Sequence, residues 1–195
     1  MVLTYDDGPN DFFSPKLLRL LKELEVKASF FILGKNVIGN DDILDAIKAE
    51  GHDIGSHSYN HLHAWRSDSV YLMSDIKKGF SIIRQWLPDK PLFRPPYGKL
   101  NKTVWKEVKS YGASIAWWTI DSGDSKKALP NMNKILKKVK KTNGGVVLMH
   151  DLKRNSKDAD LKYNFVLKLT SNLVKVARNN NIKILKYSEF IKVRK

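Results

Sequence analysis

The chain contains no cysteine. Disulfides and thiolate metal sites are therefore excluded, and any bound metal must sit on His, Asp or Glu. No apolar run approaches the ~20 residues that span a bilayer as a helix, so no transmembrane segment is expected. No linker, internal repeat or low-complexity tract interrupts the 195 residues, and one domain over 1–195 is the expectation. Zinc-finger spacings, RNP-like aromatic motifs and Arg-rich arms are missing too. No signal peptide is visible, since Met1-Val2-Leu3 runs at once into Thr4-Tyr5-Asp6-Asp7. If the native protein is exported, its targeting segment would lie upstream.

Apolar residues make up 42% of the chain, and the formal net charge is +15. A basic surface attracts polyanions such as nucleic acid, anionic lipid or an acidic cell-wall polymer. The basic run from Lys134 to Lys141 carries apolar residues at helical spacing, which reads most simply as a solvated helix face. Charge alone therefore predicts no specific nucleic-acid partner, and the sequence leaves the oligomeric state open.

Short apolar runs alternate with longer amphipathic segments. Strands are expected at 2–5, 28–33, 52–55, 92–94, 114–120, 145–149 and 182–185. Helices are expected at 15–24 (capped by Ser14, with Pro15 at N1), 41–50 (closed by Gly51), 68–87, 102–110 (capped by Asn101), 130–141, 161–178 and 189–193. Seven strands each followed by a helix imply an α/β fold with a parallel sheet and helices outside it, doubly wound or closed as a barrel. Polar residues stand at five strand ends: Asp6, His57, Arg94, Asp121 and His150. One rim of a parallel barrel gathers such residues into a single site, which favours the barrel.

Five motifs carry chemistry. In Thr4-Tyr5-Asp6-Asp7-Gly8-Pro9, adjacent carboxylates repel unless a cation is present, although an Asx turn would use the same residues. The spacing in His57-Ser58-Tyr59-Asn60-His61 puts two imidazoles on one face of a helical turn, within reach of one metal. With one carboxylate they make the three-ligand pattern of an open zinc site, although His52 and His63 lie close by. Phe93-Arg94-Pro95-Pro96-Tyr97-Gly98 is a rigid turn that ends a strand; it could present an oxyanion-binding N–H, and Arg94 could hold a carboxylate. Asp121-Ser122-Gly123-Asp124 and Leu148-Met149-His150-Asp151 supply an acidic loop and a histidine at a strand tip, placed to donate a proton.

The ordered set, spread from Thr4 to His150, resembles the polysaccharide deacetylases of carbohydrate esterase family 4, the NodB-homology domain. The resemblance implies a distorted (β/α)7 barrel that removes N-acetyl groups from an N-acetylglucosamine-containing glycan, such as peptidoglycan, a chitin-like polymer or a surface glycan. It implies Asp6 as general base, and Asp7, His57 and His61 as ligands of a divalent metal. Zinc is the default for that donor set, with cobalt, nickel or manganese compatible. Arg94 would orient Asp6, the Tyr97 N–H would hold the oxyanion, and Asp124 would tune His150, the general acid. Leu148 would line the acetyl pocket, with Pro96 and Tyr97 also binding substrate. A glycan substrate of this kind implies an exported or cell-surface location.

One departure stands out: the family's fourth motif usually ends Asp-Trp, and here Asp124 is followed by Ser125. Two alternatives share the fold: a catalytically impaired carbohydrate-binding domain, and an O-deacetylase acting on acetylxylan.

Overall fold

In the computed structural model, residues 1–152 and 157–193 are described. The elements in chain order are β1 (Val2–Asp6), α1 (Ser14–Glu23), β2 (Ser29–Ile32), α2 (Asp41–Ala49), β3 (Asp53–Ser56), α3 (Ser69–Ile82), β4 (Leu92–Phe93), α4 (Lys102–Ser110), β5 (Ser114–Ile115), β6 (Ile120–Asp121), α5 (Met132–Lys141), β7 (Val146–His150), α6 (Ala159–Asn179) and α7 (Tyr187–Val193). The strands form one seven-stranded sheet in the order β5-β4-β3-β2-β1-β7-β6. Every pairing is parallel. β1 and β2 are buried along their whole length, because a parallel sheet is covered on both faces and needs near-continuous apolar strands. Tyr5, Phe13, Leu17, Phe30, Met149 and Leu169 pack between the sheet and the outer helices in the largest core cluster. No helix among the described residues is long and apolar enough to cross a membrane.

The expected (β/α)7 barrel is present as a curled sheet, but its seven strands differ from those expected in two places. The run 114–120 is not one strand. Ser114–Ile115 pairs with β4 at one edge, while Ile120–Asp121 pairs with β7 at the other. The chain crosses between the edges at 116–119, with the Ala116 N–H bonded to the Phe93 carbonyl (2.8 Å) and the Thr119 N–H to the Val146 carbonyl (3.0 Å). No helix separates β5 from β6. An apolar run reports burial, not the partner each residue pairs with, so the split left no mark in the pattern. The expected strand at 182–185 forms no ladder. It runs beside Met1, whose amino group donates to the Lys183 carbonyl (2.6 Å) and whose carbonyl accepts from the Leu185 N–H (2.9 Å).

Helix ends follow the local chemistry. Asn101 caps α4 by accepting from the Val104 N–H at 2.9 Å, and Gly51 follows α2 at φ +78°. Ser14 does not cap α1 but is its first helical residue; Phe13 precedes it with no side-chain capping bond, and in the turn before the helix Asn10 Oδ1 accepts from the Phe13 N–H at 2.6 Å. The Ser14 hydroxyl donates instead to Asp151 at 2.6 Å. α3 stops at Ile82, and a 3₁₀ turn at Arg84–Trp86 follows it before Pro88.

Candidate active site

The rim at the carboxyl ends of the strands collects the polar residues. Asp6 and His150 are the last residues of β1 and β7 and face each other in register. His57 follows β3 and Arg94 follows β4. A cavity of about 430 Å³ opens at this rim, lined by Asp6, Asp7, His57, His61, Pro95, Tyr97, Trp118, Asp121, Ser125, Leu148 and His150. Of the expected residues, Arg94 lies beneath the cavity, fully buried, and Asp124 stands behind His150. Pro96 is buried and faces a smaller void with Leu62, Phe93 and Val104; Pro95 takes its place in the cavity wall.

Asp7, His57 and His61 each offer a ligand atom within 4.8 Å of the others. Asp7 Oδ1 lies 3.5 Å from Nε2 of both histidines, is buried, and has no hydrogen-bond partner. An orphaned buried carboxylate oxygen between two ring nitrogens is costly unless a cation joins them. His57 Nδ1 lies 2.7 Å from the Arg94 carbonyl. A carbonyl only accepts, so Nδ1 carries the proton and the Nε2 lone pair faces Asp7, the tautomer a metal ligand needs. Burial lowers the His57 pKa to about 3, against the pull of Asp7, which keeps that lone pair free at neutral pH. These residues fit a divalent cation.

The helical turn expected for His57–His61 is absent. Ser58 and His61 take φ of 66° and 67°, and Asp7 takes 73°. Left-handed non-glycine backbone is uncommon and clusters where surrounding structure enforces it. At the histidine loop α3 enforces it. The buried Asp75 carboxylate accepts from the Asn60 N–H at 2.8 Å and the Tyr59 N–H at 3.3 Å. Sequence reasoning missed Asp75, although it left a signal: an acidic residue on the apolar stripe of Leu72, Ile76 and Phe80.

The opposite wall holds Asp6 and His150, each bonded to a buried partner. Arg94 Nη1 donates to Asp6 Oδ1 at 2.7 Å and to Thr4 Oγ1 at 2.8 Å. Its guanidinium lies 4.0 Å over the Phe31 ring. Burial pushes the Asp6 carboxyl above its ordinary range, while the charges of Arg94 and His150 pull it back. His150 Nδ1 lies 2.9 Å from Asp124 Oδ1, and Ser122 Oγ donates to that oxygen at 2.6 Å. Burial disfavours the imidazolium, but Asp124, Asp6 and Asp7 outweigh it and hold the His150 pKa up at about 9. His150 is therefore cationic at neutral pH. Tyr97, at φ 56°, has a backbone N–H that meets no acceptor among the described residues. Trp118 lines the cavity, and Ser125, which stands where the family usually has Trp, lies in its lining as well.

Fold and site together define a glycan-deacetylase type of hydrolase domain. The chain belongs to the polysaccharide deacetylase family, whose model matches residues 1–116. It is 35% identical over 153 residues to a peptidoglycan-N-acetylglucosamine deacetylase of Bacillus cereus, covering 77% of this chain and 72% of that protein. It is 36% identical over 159 residues to the peptidoglycan-N-acetylglucosamine deacetylase PgdA of Listeria monocytogenes, covering 80% of this chain but only 33% of that longer protein. Among solved structures, a peptidoglycan N-acetylglucosamine deacetylase in complex with an N-hydroxybenzamide derivative superposes with a TM-score of 0.83 at 26% identity, over 96% of this chain and 86% of that one.

Proposed function

We propose that this chain removes N-acetyl groups from N-acetylglucosamine units of peptidoglycan, using a divalent cation held by Asp7, His57 and His61. The observation that carries the reading is the orphaned Asp7 Oδ1, 3.5 Å from two imidazole nitrogens, in a cavity also lined by Asp6 and His150. The activity named for the B. cereus and L. monocytogenes relatives supports the substrate. A net charge of +15 suits an anionic cell wall, and a cell-wall substrate requires an exported location.

An amide is a weak electrophile with a poor leaving group. The cation would supply Lewis-acid polarisation of the acetyl oxygen and acidify water; zinc fits two imidazoles and a carboxylate, as do cobalt, nickel and manganese. Asp6 is oriented by Arg94 and made more basic by burial, and it takes the proton of the attacking water. The Tyr97 N–H donates to the oxyanion of the tetrahedral intermediate. His150, kept protonated by Asp124, gives its proton to the departing sugar nitrogen. Leu148 and Pro95 bound the space for the acetyl methyl, and acetate leaves with a free amino sugar.

The test is acetate release from peptidoglycan fragments, chitin oligomers and acetylxylan, in chelator and after zinc or cobalt is restored. Metal-dependent release from peptidoglycan is the expected result. Release from acetylxylan alone would replace the N-deacetylase reading with an O-deacetylase. Glycan binding without release from any of the three would leave a carbohydrate-binding domain.

A further inference from the structure

Tyr97, in the cavity wall, adjoins further rings outside the cavity. From His61, a file of rings runs outward along the loop after β3 and the turn after β4. The Tyr97 ring lies 4.4 Å from His61 and 5.0 Å from His63, and the Trp65 ring lies 6.1 Å from His63. Tyr97 is 56% exposed and Trp65 is 64% exposed, although large aromatic surface is normally withdrawn from water. Trp65 is nonetheless held in place. Its Nε1 donates to the Leu100 carbonyl at 3.0 Å, its backbone N–H donates to His63 Nδ1 at 3.2 Å, and Lys99 Nζ sits 4.2 Å over its ring. Ordering an exposed indole this way costs entropy that burial does not return. A fixed aromatic platform binds ligand with little further ordering.

The other side of the cavity is lined by Asp121, Ser125 and Leu148, none of which is aromatic. Trp118, which also lines the cavity, lies against Gly98 beside Tyr97, so the indole and phenol rings gather on the same side. A sugar ring has an apolar face of C–H groups that stacks on an aromatic plane, and a rim of hydroxyls that an ammonium can meet. We propose that Trp65, flanked by Lys99 and reached across Tyr97, is a stacking subsite for a second sugar unit of the same chain whose acetamide sits against Asp6 and His150. This rests on the glycan-deacetylase reading and makes the enzyme selective for oligomers over single sugars.

The experiment compares Trp65→Ala and Trp65→Phe with the unaltered chain on N-acetylglucosamine and on its oligomers of increasing length. It measures kcat/KM for acetate release and, in parallel, calorimetric affinity. For Trp65→Ala, the ratio of oligomer to monosaccharide kcat/KM is expected to fall about tenfold, carried by KM. Trp65→Phe keeps a ring but loses the bond to Leu100, and it is expected to restore most of the ratio. An unchanged ratio overturns the subsite. Equal losses on every length, unrepaired by Phe, also overturn it and assign Trp65 to loop structure. If the unaltered chain releases no acetate but Trp65→Ala weakens oligomer binding, the deacetylase reading falls and the subsite stands.

Discussion

Asp124 and Arg94 show how one neighbour sets the chemistry of another. Burial alone would make His150 neutral, and it is Asp124 that holds its pKa at about 9. The proposed general acid must be protonated, so kcat/KM is expected to fall as pH rises through that value. In Asp124→Asn the charge is gone and the alkaline limb should move toward lower pH. A limb that stays put in the pH–rate profile would remove Asp124 from this role. His150→Ala should keep its bound metal and lose about 10²- to 10⁴-fold in turnover, whereas His57→Ala should lose metal, as read by elemental analysis after dialysis. Arg94 acts twice: its carbonyl fixes the His57 tautomer and its side chain orients Asp6. Arg94→Met keeps the first contact and strands a buried carboxylate, costing about 3–5 kcal/mol by the measure of broken buried ion pairs; chemical denaturation of the variant measures that cost.

At the level of elements, α3 is the scaffold of the histidine loop. A methyl at Gly79 would come within 2.6 Å of the Ser58 carbonyl carbon, so the helix and loop touch backbone to backbone. Gly79→Ala should displace the loop and weaken metal affinity more than it lowers the unfolding midpoint; metal titration beside thermal unfolding separates the two. Asp75→Ala leaves two loop N–H groups without acceptors, worth about 1–3 kcal/mol. Much of this level was legible in the sequence. Asp6, His57, Arg94, Asp121 and His150 could be placed at a rim because reactive side chains followed short apolar runs, and Asn101 and Gly51 announced their helix ends. The pairing of 114–121 was not legible, because burial is written in the residues while partners are chosen by the whole sheet. Nor was the left-handed backbone at Ser58 and His61, which long-range contacts from α3 impose.

For the whole molecule, buried titratable groups tilt stability with pH in opposite directions. Burial lowers the His52 pKa to about 4, below its ordinary ~6.5. The unfolded chain therefore binds more protons between those values, and this contribution is lost as pH falls from 6.5 to 4. Burial raises the Asp151 pKa to about 8, above ~3.9 when unfolded, so its contribution is lost as pH rises through 8. His150 adds a loss of the same sign up to about 9. In chelator, urea midpoints are expected to fall from pH 6.5 to 8. Asp151→Asn, which keeps hydrogen-bonding atoms toward Ser14 and Asn10, should flatten that fall to the His150 share. An unaltered slope would show that Asp151 is ionised in the folded chain.

The crossing at 116–119 gives the barrel an unequal circumference. Between neighbouring strands the hoop is laced by hydrogen bonds that can stretch and re-form. At the one gap it is buckled by covalent chain, and the tongue of that buckle is Arg94, whose Nε and Nη2 reach the Ala116 and Trp117 carbonyls at 3.3 and 3.4 Å. A bulky glycan that pries at the mouth meets peptide bonds there, not a seam that can unzip. Amide exchange should accordingly be slow along the laced strands β1, β2 and β7. At the buckle, Ala116 and Thr119 should exchange faster once Arg94 is shortened.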